Sequence, residues 1–242
     1  MTKLTVSEIV KSCKENGGYK TPELNNILYL HYLGISELCD MPNYIPNCLW
    51  LQGNKLKEIT NLMTSITCLY LQSNAICEIQ GLSHLENLKE LNLNNNMIQQ
   101  IKKDCLPKSL ENLYLSKNLI SNSKNLVGLS DLVCLGLLDI SHNQILDENL
   151  IENLGKLRLS VLTTENNPFH KKISFFRKKV INEFPSLVYL NSRPIDSIER
   201  RIVKAFFKGG QQAELDEKSK IQAENLERNR NQYKSITYLF RV

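Results

Sequence analysis

Of the side chains in this 242-residue chain that could do chemistry, the carboxamides are the ones set at regular intervals. The stretch LNLNNNMIQQI places Asn92, Asn94, Asn95 and Asn96 among Leu91, Leu93, Ile98 and Ile101. An amide offers two donors and one acceptor oxygen, so its chemistry is hydrogen bonding to backbone or to a partner. The groups that could carry catalysis are scattered instead. Histidines 31, 84, 142 and 170 have no metal-pair spacing, and His142 in Ser141-His142-Asn143 reads as a turn residue. Cysteines 13, 39, 48, 68, 77, 105 and 134 are odd in number and form no C-x-x-C, which argues against a disulfide framework or a zinc site. No G-x-S-x-G, G-x-x-x-x-G-K-[ST] or H-E-x-x-H is present. The sequence therefore predicts no enzyme, no metal and no cofactor.

The asparagines belong to a repeated frame, L-x-x-L-x-L-x-x-N-x-I/L. It is clear at Ile66-Leu69-Leu71-Asn74-Ile76, Leu88-Leu91-Leu93-Asn96-Ile98, Leu110-Leu113-Leu115-Asn118-Ile120 and Leu135-Leu138-Ile140-Asn143-Ile145. Weaker copies carry Asn54 and Asn167, and a half-copy at Leu28-Leu30-Ile35 has Leu33 in the asparagine's place. Successive framed asparagines are 20, 22, 22, 25 and 24 residues apart.

Leu-x-Leu has period two, so both leucines point to one side of a short strand, and neighbouring strands must stack to bury them. Asn54, Asn74, Asn96, Asn118, Asn143 and Asn167 then form a structural ladder, each amide satisfying backbone that a tight turn leaves open. The frame resembles the leucine-rich repeat in its variety of about 22 residues. That resemblance implies an α/β solenoid with a curved parallel sheet inside and short helices or extended turns outside.

An open solenoid needs capping at both ends. Ser7 before Glu8-Ile9-Val10 reads as a helix start and Gly17-Gly18 as its stop, with Val6, Ile9, Val10 and Cys13 on the covered face. After Asn167-Pro168, Ile173 to Ile181 reads as an amphipathic helix and Phe184 to Asn191 as a last strand-like piece. Asp196 to Phe207 and Gln211 to about Lys234 read as two helices around Gly209-Gly210, the second highly charged and expected to project or pack loosely. The organisation is thus residues 1–24 as N-terminal helical cap, 25–168 as repeats, 169–195 as C-terminal repeat cap and 196–242 as charged helical extension. Repeat four carries Ser123 where an apolar residue is expected, which predicts a looser convex side there. Cys48 and Cys68 share a repeat position on adjacent strands and are expected to be neighbouring reduced thiols.

Net charge is +5, unevenly distributed. Residues 1–169 hold 14 Lys and Arg against 17 Asp and Glu; residues 170–242 hold 16 against 8. A basic third of this kind can meet nucleic acid or an acidic protein, although mixed charge on a helix is more often a solvated face. No run of about 20 apolar residues is present, and MTKLTVSEIVKSCKEN is too charged for a secretory signal, so a soluble intracellular protein is expected.

The face that the leucines do not use is the candidate site. Its central column reads Tyr29, Trp50, Tyr70, Asn92, Tyr114, Asp139 and Thr163; the next reads His31, Gln52, Gln72, Asn94, Ser116, Ser141 and Glu165. Large rings on an open surface are enriched in interface hot spots. The competing reading is that the rings only shield neighbouring strands. Asp139 and Glu165 favour a basic element on the partner. Asn92 and Asn94 face this groove, whereas Asn95 sits at the turn.

Two flanking segments narrow the resemblance. Gly18-Tyr19-Lys20-Thr21-Pro22-Glu23-Leu24-Asn25-Asn26-Ile27-Leu28-Tyr29-Leu30-His31-Tyr32, followed by Cys48-Leu49-Trp50-Leu51 and Cys68-Leu69-Tyr70-Leu71-Gln72, resembles the opening of the leucine-rich-repeat axonemal dynein assembly factors, the leucine-rich repeat-containing protein 50 family. Asn191-Ser192-Arg193-Pro194-Ile195 and Lys204-Ala205-Phe206-Phe207-Lys208-Gly209-Gly210 resemble that family's later segments. The likeness covers about residues 8–215. It implies a non-enzymatic protein-binding factor for cytoplasmic preassembly of dynein arms in ciliated or flagellated cells. The implied partners are dynein subunits, chaperones or other assembly factors; no membrane is implied, nucleic acid is not expected, and a monomer is. The sequence ends at Val242 without the long acidic, Pro-rich tail of many members, so functions held in that tail are expected to be absent or supplied elsewhere. Other short-repeat scaffolds remain alternatives: the phosphatase-one regulatory subunit, an axonemal dynein light chain and the spliceosomal A-prime protein.

Overall fold

A computed structural model describes residues 3–41 and 44–239, with side chains to residue 232. The outer ends of the first and last expected segments, Met1–Thr2 and Phe240–Val242, lie outside the described residues. Strands β1 (Ile27–Tyr29), β2 (Cys48–Trp50), β3 (Cys68–Tyr70), β4 (Glu90–Asn92), β5 (Asn112–Tyr114), β6 (Leu137–Asp139), β7 (Val161–Thr163) and β8 (Tyr189–Leu190) lie side by side in chain order. All seven pairings among them are parallel, and β9 (Arg193–Pro194) closes the sheet antiparallel to β8. The chain is a leucine-rich-repeat solenoid, as the frame predicts.

The register is unbroken. Leu28, Leu49, Leu69, Leu91, Leu113, Leu138, Leu162 and Leu190 oppose one another across the sheet, and each is at most 2% exposed. Burying a leucine fully is worth roughly 1.5–3 kcal/mol, so this one column and its Leu-x-Leu partners supply much of what holds the strands together.

The asparagine rungs explain how the turns stay closed. Asn96 Nδ2 donates to Leu93 O of its own repeat and to Leu71 O of the preceding one, both at 3.0 Å, while its Oδ1 accepts from Ile76 N at 3.1 Å. Asn54, Asn74, Asn118, Asn143 and Asn167 repeat the pattern, each bridging two successive repeats. The residue before each rung is left-handed: Gly53, Ser73, Asn95, Lys117, His142 and Asn166 all have φ between 52° and 68°. Asparagine tolerates that region well, which accounts for Asn95 and Asn166.

Helix α1 (Val6–Glu15) covers the first strand. Its N-cap is Thr5 rather than Ser7: Thr5 Oγ1 accepts from Glu8 N and Glu8 Oε2 accepts from Thr5 N, a reciprocal capping box that starts the helix earlier. Ile9 and Cys13 are buried as expected, but Val6 lies in the exposed first turn at 57%, and Ser12 takes a buried place with its hydroxyl donating to Tyr29 O.

Most convex connections are turns and short 3-10 helices; the exception is α2 (Leu150–Leu154). Ser123 does not loosen this wall. It is 4% exposed, its N and Oγ both donate to the Asp147 carboxylate, and it accepts from Asn153 Nδ2 at 2.6 Å. A satisfied polar network replaces the missing apolar contact.

Helix α3 (Phe176–Glu183) starts later than expected, because Phe175 adopts a left-handed conformation, φ 55°. The final helix α4 (Ser197–Leu239) is interrupted at Gly209 and Gly210, the latter at φ 69° with ψ −157°, a conformation open only to glycine. The arm after the break neither projects freely nor packs loosely over its first turns. Lys178 and Lys218 pair with Glu214, which is 8% exposed, Arg201 pairs with both Glu217 and Glu224, and Ile221 is buried.

Candidate functional site

Three side-chain columns form the concave face, because residues 48, 50 and 52 of one repeat, and their equivalents, alternate with the buried leucines. Tyr29, Trp50, Tyr70, Asn92, Tyr114 and Asp139 stand in register across β1 to β6, every one half-buried. His31, Gln52, Gln72 and Asn94 are half-buried two residues further on, and Glu165 is exposed at the far end.

The rings divide into a group and an outlier. Tyr29 and Trp50 have centroids 6.0 Å apart; Trp50 and Tyr70 approach to 4.2 Å with planes 31° apart. His31 meets Tyr29 edge-on at 6.0 Å and Tyr32 at 5.6 Å. Among the described residues the ring contacts of this face stop at Tyr70. Tyr114 stands two strands away, with Asn92 between.

The polar residues also separate. Asn92 Oδ1 accepts from Asn94 N at 3.0 Å, and Asn94 Oδ1 accepts from Ser116 N at 2.6 Å, so both carboxamides hold backbone as well as facing the groove. Asp139 Oδ1 accepts from Ser141 N at 2.9 Å, and Ser141 Oγ donates to Ser116 Oγ at 2.8 Å. Buried side-chain atoms His31 Nδ1, Gln52 Oε1 and Gln72 Oε1 have no hydrogen-bond partner among the described residues.

The first column adds a residue that the aromatic pattern did not bring forward. Glu90, on the same face as Asn92, accepts from Tyr70 Oη at 3.0 Å. Burial, then that hydrogen bond, holds the Tyr70 hydroxyl well above the usual tyrosine range. Burial also raises Tyr114, with smaller contributions from the Glu90 and Asp139 carboxylates that face it. The signal for Glu90 was its place two residues before Asn92 on one strand, legible only when the first column is read beside the second. In that column Cys48 and Cys68 are register partners and free thiols, and burial, then the neighbouring Cys68, pushes Cys48 up to about 11.

No lysine or arginine occupies any of the three columns. Part of the basic C-terminal third is engaged within the fold. Arg177 grips Glu199 through Nε and Nη2, both at 2.6 Å, and Arg200 donates to the carbonyls of Ile181, Phe184 and Leu187 at the end of α3. Lys178 lies over the Phe206 ring, 4.0 Å from its centroid. Among the described residues no group of three or more His, Cys, Asp or Glu could hold a metal ion. No helix among them is long and apolar enough to cross a membrane.

The FNIP Repeat family model matches residues 85–118, the segment around β4 and β5. A dynein axonemal assembly factor 1 homolog of Aedes aegypti is 38% identical over 222 residues, covering 89% of this chain and 20% of that protein. The leucine-rich repeat-containing protein ODA7 of Chlamydomonas reinhardtii is 29% identical over 234 residues, covering 95% of this chain and 54% of that protein. The chain thus spans between about a fifth and about half of these two relatives' length. A chain from the Drosophila melanogaster SNF/U2A′ complex is 22% identical with a TM-score of 0.48, covering 90% of this chain and 99% of that one. The chain is a leucine-rich-repeat protein whose resemblance to the axonemal dynein assembly factors, expected from its two flanks, holds over about nine-tenths of its length.

Proposed function

We propose that this chain is a non-enzymatic protein-binding factor in the cytoplasmic preassembly of axonemal dynein arms, and so serves the motility of a cilium or flagellum. Its partners are dynein subunits, chaperones or other assembly factors, held on the concave face. The names of the relatives, a dynein axonemal assembly factor 1 homolog among them, support the process. The observation that carries the surface is the contiguous ring group Tyr29–Trp50–Tyr70, half-buried on the face that the core leucines do not use. Rigid aromatic side chains lose little entropy on binding and supply much contact area.

The test replaces the native copy in a flagellated cell by a Trp50→Ala, Tyr70→Ala chain of matched abundance and melting temperature. Loss of dynein arms in electron micrographs, together with loss of co-precipitating dynein subunits, is the expected result. Full arms and unchanged co-precipitation with that chain would remove the concave face from the reading.

A further inference from the structure

The row of rings has one gap, and the gap is charged. Parallel neighbours lie about 4.8 Å apart, so Tyr70 and Tyr114, two strands apart, are separated by about 10 Å at the backbone, which leaves a gap in the row of rings over Asn92. The Asn92 side chain does not fill it, because its oxygen turns back to Asn94 N. Glu90 stands in the gap beside Tyr70, and Asp139 stands outside it on the far side of Tyr114, so the two carboxylates flank the Tyr114 ring. Each carboxylate has one oxygen engaged within the chain, Glu90 Oε1 by Tyr70 and Asp139 Oδ1 by Ser141 N. Among the described residues neither pairs with a cation.

We infer that this notch receives the guanidinium or ammonium group of a basic segment of the protein partner, with Tyr70 and Tyr114 as walls, Glu90 as the counter-charge within it and Asp139 as a second negative charge behind Tyr114. The inference rests on the concave-face reading above and says which chemistry that face selects. A cation fits for two physical reasons. Ring faces attract cations, and a carboxylate oxygen left open accepts a charge-assisted hydrogen bond. In the next column Gln52, Gln72 and Asn94 carry no positive charge, so that strip does not repel a cation. The same carboxylates disfavour phosphate, which points the surface away from nucleic acid. The rings of Trp50 and Tyr70 anchor the segment's apolar side chains on one side while the notch sets its direction and register.

Isosteric changes separate charge from structure. Glu90→Gln keeps an acceptor for Tyr70, and Asp139→Asn keeps one for Ser141 N, while both remove the counter-charge. The probe is a displayed library of random twelve-residue peptides, selected on the full chain. Chosen peptides are then titrated beside synthetic versions carrying citrulline for arginine and norleucine for lysine. The wild-type chain should enrich peptides with arginine or lysine next to apolar residues, and the neutral replacement should weaken binding at least tenfold. The Glu90→Gln, Asp139→Asn chain should bind the charged and neutral versions alike, and Trp50→Ala should lose both. Enrichment of neutral or acidic peptides, or an undiminished preference for the charged version in the double variant, overturns the notch. If Trp50→Ala still abolishes binding in that case, the concave face stands without it. If no peptide is enriched, or Trp50→Ala changes nothing, both readings fall together.

Discussion

Trp50 and Tyr70, register partners on adjacent strands, stack with centroids 4.2 Å apart, and Tyr70 is in turn tied to Glu90 on the next strand. Trp50 is the chain's single tryptophan, so its fluorescence reports this surface alone. Tyr70→Ala should expose the indole and shift its emission to the red, with a stability loss of about 0.5–1.5 kcal/mol for the aromatic pair beyond the area lost. An unshifted spectrum would mean that the stack does not form in solution.

Asn96→Leu removes three donated bonds and one accepted bond, among them the two, to Leu71 O and from Ile76 N, that join the β3 and β4 repeats. The backbone groups of Leu71, Ile76 and Leu93 lose their side-chain partner together. A destabilisation of at least roughly 1–3 kcal/mol is expected, read as a lower urea midpoint. The same change at Asn95, exposed at the turn, leaves those bonds intact but forces a branched residue into a left-handed conformation, so its loss should be smaller. Equal losses at the two positions would contradict the ladder.

Cys48 and Cys77 test the burial of the first concave column. With its pKa near 11, Cys48 holds little thiolate at pH 8, about 100-fold less than a group two units lower. Alkylation by iodoacetamide at pH 8 should therefore label the exposed Cys77 and Cys134 first and leave Cys48 largely unmodified. As pH rises toward 11 the Cys48 rate should climb steeply. Early labelling of Cys48 at pH 8 would show that this column is more open than the geometry has it.

The arm after Gly210 depends on Glu214, whose carboxyl the Lys178 and Lys218 ammonium groups hold below the ordinary carboxylate range. A depressed folded-state pKa contributes stability above the unfolded value and loses it as pH falls through the folded one. Acidification below the usual carboxylate range, or Glu214→Ala at neutral pH, should raise amide exchange across residues 211–224 while leaving β2 to β7 protected. Protection unchanged in the arm would place its attachment elsewhere, with Ile221 and Arg201.

The repeats were legible because each strand is specified locally. Leu69, Leu71 and Asn74 state a strand, its buried face and its turn within six residues, and the next copy restates them. Pairings between distant residues carry no such pattern. Nothing near Arg201 announces that Glu217 and Glu224 will fold back to it, nor does Ser123 announce Asp147, 24 residues on. Thr5 is different: Thr5-x-x-Glu8 is a capping-box signature, and the nearer serine obscured it. At the concave face the aromatic column could be read from spacing alone, but the turning back of the Asn92 oxygen and the reach of Glu90 to Tyr70 depend on rotamers that composition does not specify.

The unbroken register makes the concave face a scale with a fixed graduation. Its marks fall about 4.8 Å apart, whereas an α-helix rises 5.4 Å per turn. A helix laid across the strands drifts by roughly 0.6 Å at every mark and is half a graduation out of step after about four strands. Like a vernier, the two scales coincide only over a short window. Three adjacent rings from Tyr29 to Tyr70 are about as long a run of equivalent anchors as such a partner can use, and a different kind of contact must take over beyond them.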